Sequence, residues 1–203
     1  ESLPARMDRP DPPAEQDDDP ILPEPGIIAQ FPAMTDAELR HAMDRFWRNG
    51  GYVYDTLRDR TYYAELDRLI GDYVGRCPQE VVVDLCCGTG RLGGLVTEAR
   101  DVIGIDISTV ALAAARDRHA GQPAFRFAAM DAAGLALPGG CADRVMFIDA
   151  IEHVRDPAAT LAETARILWD DTASGLKSGL LFGGERAGLE TTDIALTQGI
   201  TTI

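Results

Sequence analysis

After Pro78 the apolar period of the chain changes. Four short, largely apolar runs follow, EVVVDL (80–85), DVIGIDI (101–107), AFRFAAM (124–130) and DRVMFIDAI (143–151). Between and after them lie the helical stretches RLGGLVTEAR, STVALAAARDRHA and DPAATLAETARILW. Strand alternating with helix requires crossover connections, so the strands lie parallel and the helices cover the sheet. Runs without polar alternation fit strands buried on both faces. The expected fold is therefore α/β: a Rossmann-like, mostly parallel sheet with helices on both faces. Ser108 and Asp156 are expected helix N-caps, the latter with Pro157 at the first helical position.

Upstream of Pro78 the period is helical. Thr35 and Glu38 form a capping box, followed by Leu39, Met43 and Phe46/Trp47. Tyr62, Leu66, Leu69 and Tyr73 read as one stripe of a second helix, stopped by Pro78. Residues 1–33 are dense in Pro and Asp and are read as a disordered tail. The division is thus a tail (1–33), a helical cap (34–78) and a Rossmann-like domain (79–203).

The chain has 203 residues and a net charge of −14. That charge disfavours nucleic-acid and anionic-membrane surfaces as partners. No apolar run reaches the roughly 20 residues of a spanning helix, and no signal peptide is visible. Four cysteines in a chain of this length do not suggest a disulfide framework, and a cytoplasmic setting is expected. Adjacent Cys86 and Cys87 rarely chelate one ion together, and Cys77 and Cys141 complete no C-x-x-C set, so no metal site is expected.

The loop after the first strand, DLCCGTGRLGG, satisfies G-x-G-x-x-G through Gly88, Gly90 and Gly93. Such a loop lets the backbone approach a ligand at a sheet switch point. Asp84 stands four residues before Gly88, where a pyrophosphate would be repelled and a cationic ligand accommodated. Asp106, ending the second strand, can accept from both ribose hydroxyls. Asp131 and Asp149 follow the third and fourth strands, so four carboxylates converge on the carboxyl edge. A cationic adenosine ligand suits this ring of acids better than NAD does.

Here D-L-C-C-G-T-G resembles motif I of the class I S-adenosylmethionine-dependent methyltransferases, and VIGIDIS resembles their second motif. Residues 128–168 resemble the small-molecule, type 11-like branch, and the resemblance covers roughly residues 50 to 168. It implies a methyl transfer from S-adenosylmethionine to a small-molecule acceptor. By it, Asp84 and the backbone at Gly88 and Gly90 frame the methionine moiety. Asp106 holds the ribose, and Ile107 packs on the adenine face. Asp131 accepts from the adenine amino group, with backbone contact at Ala132, and Ile148 or Asp149 lies near the methionine end. Cys86 stands where the family usually has glycine, which matters if that position requires positive φ.

His153, just after the fourth strand, is the best-placed general base, with a structural role as the alternative. Tyr52, Tyr54, Tyr62 and Tyr63 read as a lid or as core. The absence of [DN]-P-P-[YFW] and of a Pro-Cys pair disfavours base-amine, glutamine-amide and cytosine-C5 methylation. Two other classes stay open, a non-catalytic S-adenosylmethionine-binding subunit and, disfavoured by Asp84, a nicotinamide oxidoreductase. SGLLFGG is the expected fifth strand. The family's last antiparallel strand pair is expected to be missing or shortened, which would leave a sheet edge open to self-association.

Overall fold

The computed structural model describes residues 31–51, 60–74, 76–168, 180–183 and 201–202. The strands β1 (Val81–Leu85), β2 (Asp101–Asp106), β3 (Phe125–Ala129), β4 (Arg144–Ile148), β5 (Leu180–Gly183) and β6 (Thr201–Thr202) form one sheet in the order β3-β2-β1-β4-β5-β6. All the pairings are parallel. The helices are α1 (Asp36–Phe46), α2 (Arg60–Val74), α3 (Thr109–Arg118) and α4 (Pro157–Leu168). The order reverses direction beside β1, which is where open α/β sheets bind ligands.

Strand alternation sorts the core into two layers. Val83, Leu85, Ile105, Val145 and Phe147 face one side and pack with Ile167 and Leu168 of α4. Val82, Val102, Met146 and Ile148 face the other and pack with Ile70 and Val74 of α2. By the same period of two, Asp84 and Asp106 share the second face with Val82 and Val102. β1 is buried along its whole length, as expected of a strand covered on both faces. β3 departs from that expectation: it is the sheet edge, and Arg126 and Ala129 are exposed.

The expected caps are present. Glu38 N–H donates to Thr35 Oγ1 (3.3 Å) and Thr35 N–H to Glu38 Oε2 (2.8 Å). Ser108 Oγ accepts from Ala111 N–H (3.2 Å) and Asp156 Oδ1 from Ala159 N–H (2.9 Å). Ordered structure also precedes the expected start at residue 34: Phe31–Ala33 form a 3-10 turn, with Phe31 buried.

Three expectations are corrected. RLGGLVTEAR forms only the 3-10 turn Leu92–Leu95. Adjacent Gly93 and Gly94 each cost a helix about 1 kcal/mol, and the next residues run into a parallel bridge between Arg76 and Thr97. Leu69 is exposed, and α2 turns Ile70 and Val74 inward instead. The outer edge of β5, expected to lie open for self-association, is paired at Leu181 and Phe182 by β6, a parallel strand rather than an antiparallel pair. The expected Tyr52/Tyr54 lid and the 1–30 part of the tail lie outside the described residues, as do the side chains of Tyr62 and Tyr63.

Gly104, opposite Phe127 in β3, is the most crowded of the described glycines. A Cβ there would lie 2.5 Å from Phe127 Cδ1 and 3.0 Å from Cys87 Sγ. Gly104→Ala must therefore displace a ring that covers β2. Urea unfolding is expected to show a loss of about 1–3 kcal/mol, and an unchanged midpoint would mean that the ring is not wedged there.

Candidate active site at the glycine loop

Gly88 and Gly90 adopt φ of +53° and +72°, a region that glycine enters without steric penalty. Cys86 also has positive φ, +58°, so the departure from glycine falls where it matters and costs roughly 1 kcal/mol in backbone strain. Asp149 (φ +51°) carries the same kind of strain just past β4.

Three side chains fix the loop. Asp106 accepts from Gly88 N–H through Oδ2 (2.9 Å) and from Ser108 N–H through Oδ1 (2.8 Å), joining the loop to the start of α3. His119, buried at the far end of α3, places Nε2 2.8 Å from Gly90 O and stacks on Phe125 with centroids 4.0 Å apart. Trp47, directly after α1, lays its ring on Gly88: a Cβ built there would stand 3.0 Å from Cζ2 and 3.1 Å from Cη2.

The acids are placed differently from one another. Asp84 is 3 % exposed, and its Oδ2 has no hydrogen-bond partner. Burial pushes its carboxyl up to about 7, with Asp106 adding to the shift and Gly93 N–H and Arg91 opposing it. Burial also raises Asp106, against backbone N–H groups of Ser108, Gly88 and Ile107. Asp131 accepts from Ala133 N–H (2.9 Å) and pairs with Arg155. Arg155 in turn reaches Asp36 Oδ1 (2.7 Å) and Met34 O (3.0 Å).

Ala132 is packed in the α4-side core and Ile148 in the α2-side core. His153 ends the short turn Ile151–His153 and is half-buried. The structure thus brings Asp84, Gly88, Gly90 and Asp106 together around one loop, with Asp131 at the next strand end, where Met130 N–H bonds Asp106 O (3.1 Å).

Sequence reasoning missed Trp47, Asp44, His119 and Arg155. Asp44, on the buried side of α1, accepts from Ser108 Oγ (2.6 Å), Thr109 Oγ1 (3.0 Å) and Val110 N–H (3.2 Å). Burial raises its carboxyl, but these bonds outweigh burial and hold it below the ordinary value. A buried acid inside an amphipathic helix was the one available signal. Nothing in the sequence marked the others. All four cysteines are free thiols. Burial, then Asp84 and Asp106, drive Cys87 well above the ordinary thiol range, so it stays a neutral filler. Among the described residues, no cluster of three metal-ligating side chains occurs, and no helix is long and apolar enough to cross a membrane.

Comparison with known proteins gives this geometry its context. A family model described as a methyltransferase domain matches residues 82–171. The segment is 39% identical over 95 residues to a 37.1 kDa transposon protein of Streptomyces fradiae, covering 45% of this chain and 28% of that protein. It is 34% identical over 94 residues to a protein of Mycobacterium tuberculosis named probable S-adenosylmethionine-dependent methyltransferase, covering 46% and 33%. The matched segment thus spans about a third or less of the length of these relatives. A crystal structure of a candidate S-adenosyl-L-methionine-dependent methyltransferase from Methanococcus maripaludis shares the fold, with TM-score 0.53 at 18% identity, over 62% of this chain and 58% of that one.

Burial of Asp84 couples its protonation to the stability of the fold. Folded Asp84 keeps its proton up to about pH 7, whereas the unfolded carboxyl releases it near 3.8. The ligand-free protein should therefore lose stability as pH rises from about 4 to 7 and level off above. Asp84→Asn should flatten that descent, and its stability advantage should be largest near pH 8, on the order of a few kcal/mol. Thermal melts across this range check it, and a constant difference between the two proteins would overturn it.

Proposed function

We propose that this chain binds S-adenosylmethionine and transfers its methyl group to a small-molecule acceptor. The observation that carries the reading is the buried Asp84 carboxylate, with an oxygen that has no partner, under a glycine loop. A buried acid left so is expensive unless a cation completes it. A dinucleotide pyrophosphate would aggravate that cost, and an ammonium beside a sulfonium relieves it. The family match and the named mycobacterial relative support the same reading.

Bound there, S-adenosylmethionine supplies a methyl group on a good leaving group. The chain's part is to bind, align and keep water out. Asp84 takes the ammonium of the amino-acid end, which the loop backbone at Gly88 and Gly90 frames. Asp106 takes the ribose hydroxyls, Ile107 the adenine face, and Asp131 with Ala132 the adenine edge. Ile148 and Asp149 border the methionine end. His153 is the base for an oxygen acceptor in this reading: His153→Ala should cut turnover by roughly 10²–10⁴ with S-adenosylhomocysteine affinity intact. A parallel fall in melting temperature would make it structural.

Calorimetry tests binding directly. The protein should bind S-adenosylmethionine and S-adenosylhomocysteine but not NAD. Asp106→Ala removes a charged acceptor of two hydroxyls, each bond worth about 1.5–3 kcal/mol, so S-adenosylhomocysteine affinity should fall at least about tenfold. NAD binding with no S-adenosylhomocysteine binding would replace this reading with a nicotinamide oxidoreductase.

A further inference from the structure

Among the described residues, two buried side-chain polar atoms lack a hydrogen-bond partner: Asp84 Oδ2 and Trp47 Nε1. One is an acceptor and the other is a donor only. Both belong to groups around the same glycine loop, and they do not satisfy each other. In the indole ring Nε1 is bonded to Cε2, which is bonded to Cζ2, the atom lying against Gly88. The Cζ2–Cη2 edge is the one that meets Gly88, and the N–H stands two bonds from that contact. A buried donor without an acceptor costs about 1–3 kcal/mol, so the ring's position calls for a ligand acceptor.

The loop cannot readily supply such a ligand's donors itself. Gly88 N–H is committed to Asp106 Oδ2 (2.9 Å) and Gly90 N–H to Cys87 O (2.8 Å). A group bearing both an ammonium and a carboxylate would satisfy both orphaned atoms at once, the cation at Asp84 and the anion at the indole.

We propose that Trp47 is a cofactor-binding residue, donating its indole N–H to the carboxylate of the methionine moiety while Asp84 takes the ammonium. This rests on the S-adenosylmethionine reading above. It makes the segment after α1 part of the binding site rather than a cover over it, and it gives the site a way to select a zwitterionic ligand over its decarboxylated form.

The test is calorimetry on the full chain with S-adenosylmethionine and with decarboxylated S-adenosylmethionine, which keeps adenosine, sulfonium and amine. The wild type should prefer the intact ligand by about tenfold or more. Trp47→Phe keeps an aromatic ring on Gly88 and removes the N–H. It should erase that preference and leave the decarboxylated ligand within about twofold of its wild-type affinity. Equal weakening of both ligands would make Trp47 a packing residue and overturn the proposal. No change, or tighter binding of both, would overturn it as well. Binding of neither ligand by the wild type would sink the S-adenosylmethionine reading itself, and this proposal with it. Should Trp47→Phe fail to fold, Trp169→Phe leaves Trp47 as the single tryptophan of the two in the chain. Its indole proton should then shift downfield with the intact ligand and not with the decarboxylated one. An unshifted resonance would overturn the assignment.

Discussion

One carboxylate ties the site to the fold. Asp106 ends β2, and its two oxygens bond the Gly88 and Ser108 amides. The glycine loop leaves β1 and α3 leaves β2, so this residue, with the Cys87 N–H bond to Ile105 O (2.9 Å), ties the two strand exits together. The parallel register of β1 on β2 brings the exits level, and Asp106 then fixes the turns that follow. Burying it opposes its ionisation, which is affordable because backbone amides surround it. Asp84, one strand over, is buried with far less help. The two acids share a sheet face and differ in how far the protein itself satisfies them.

That difference separates a carboxylate the fold satisfies from one it leaves open. Asp106 is bonded by the loop amides, whereas Asp84 Oδ2 has no hydrogen-bond partner. Positive φ at Cys86 and Asp149 lies in the same region, beyond the ends of β1 and β4. Strain and unmet polarity thus gather on the carboxyl side of the sheet, while the two apolar layers below are conventionally packed.

What could be read in the sequence was local. The strands followed from largely apolar runs, and the caps at Thr35, Ser108 and Asp156 from residue type and spacing. The acids at strand ends followed from where the strands stop. Contacts that depend on distant packing were not legible. His119 looked like a helix-end residue, yet it holds Gly90 O across 29 positions. Arg155 carries no mark in the sequence, yet it links Asp131 to Asp36. Trp47 read as the end of an apolar stripe. RLGGLVTEAR had helical residues at its ends, but its paired glycines and the bridge at Thr97 outweighed them. β3 read as buried because its apolar content gives no hint that it closes the sheet.

Asp44 has a consequence for motion. Its carboxylate reaches from α1 to the first turn of α3, accepting from the Val110 amide 66 positions further along the chain. Helix first turns have no partners of their own for these amides, so this amide is protected only while α1 is docked. Hydrogen exchange at Val110 therefore reports the undocking of a segment remote in sequence. Whatever frees α1 also loosens the helix whose entry carries Ser108, so the docking of the first helix and the order of the Ser108 turn are coupled.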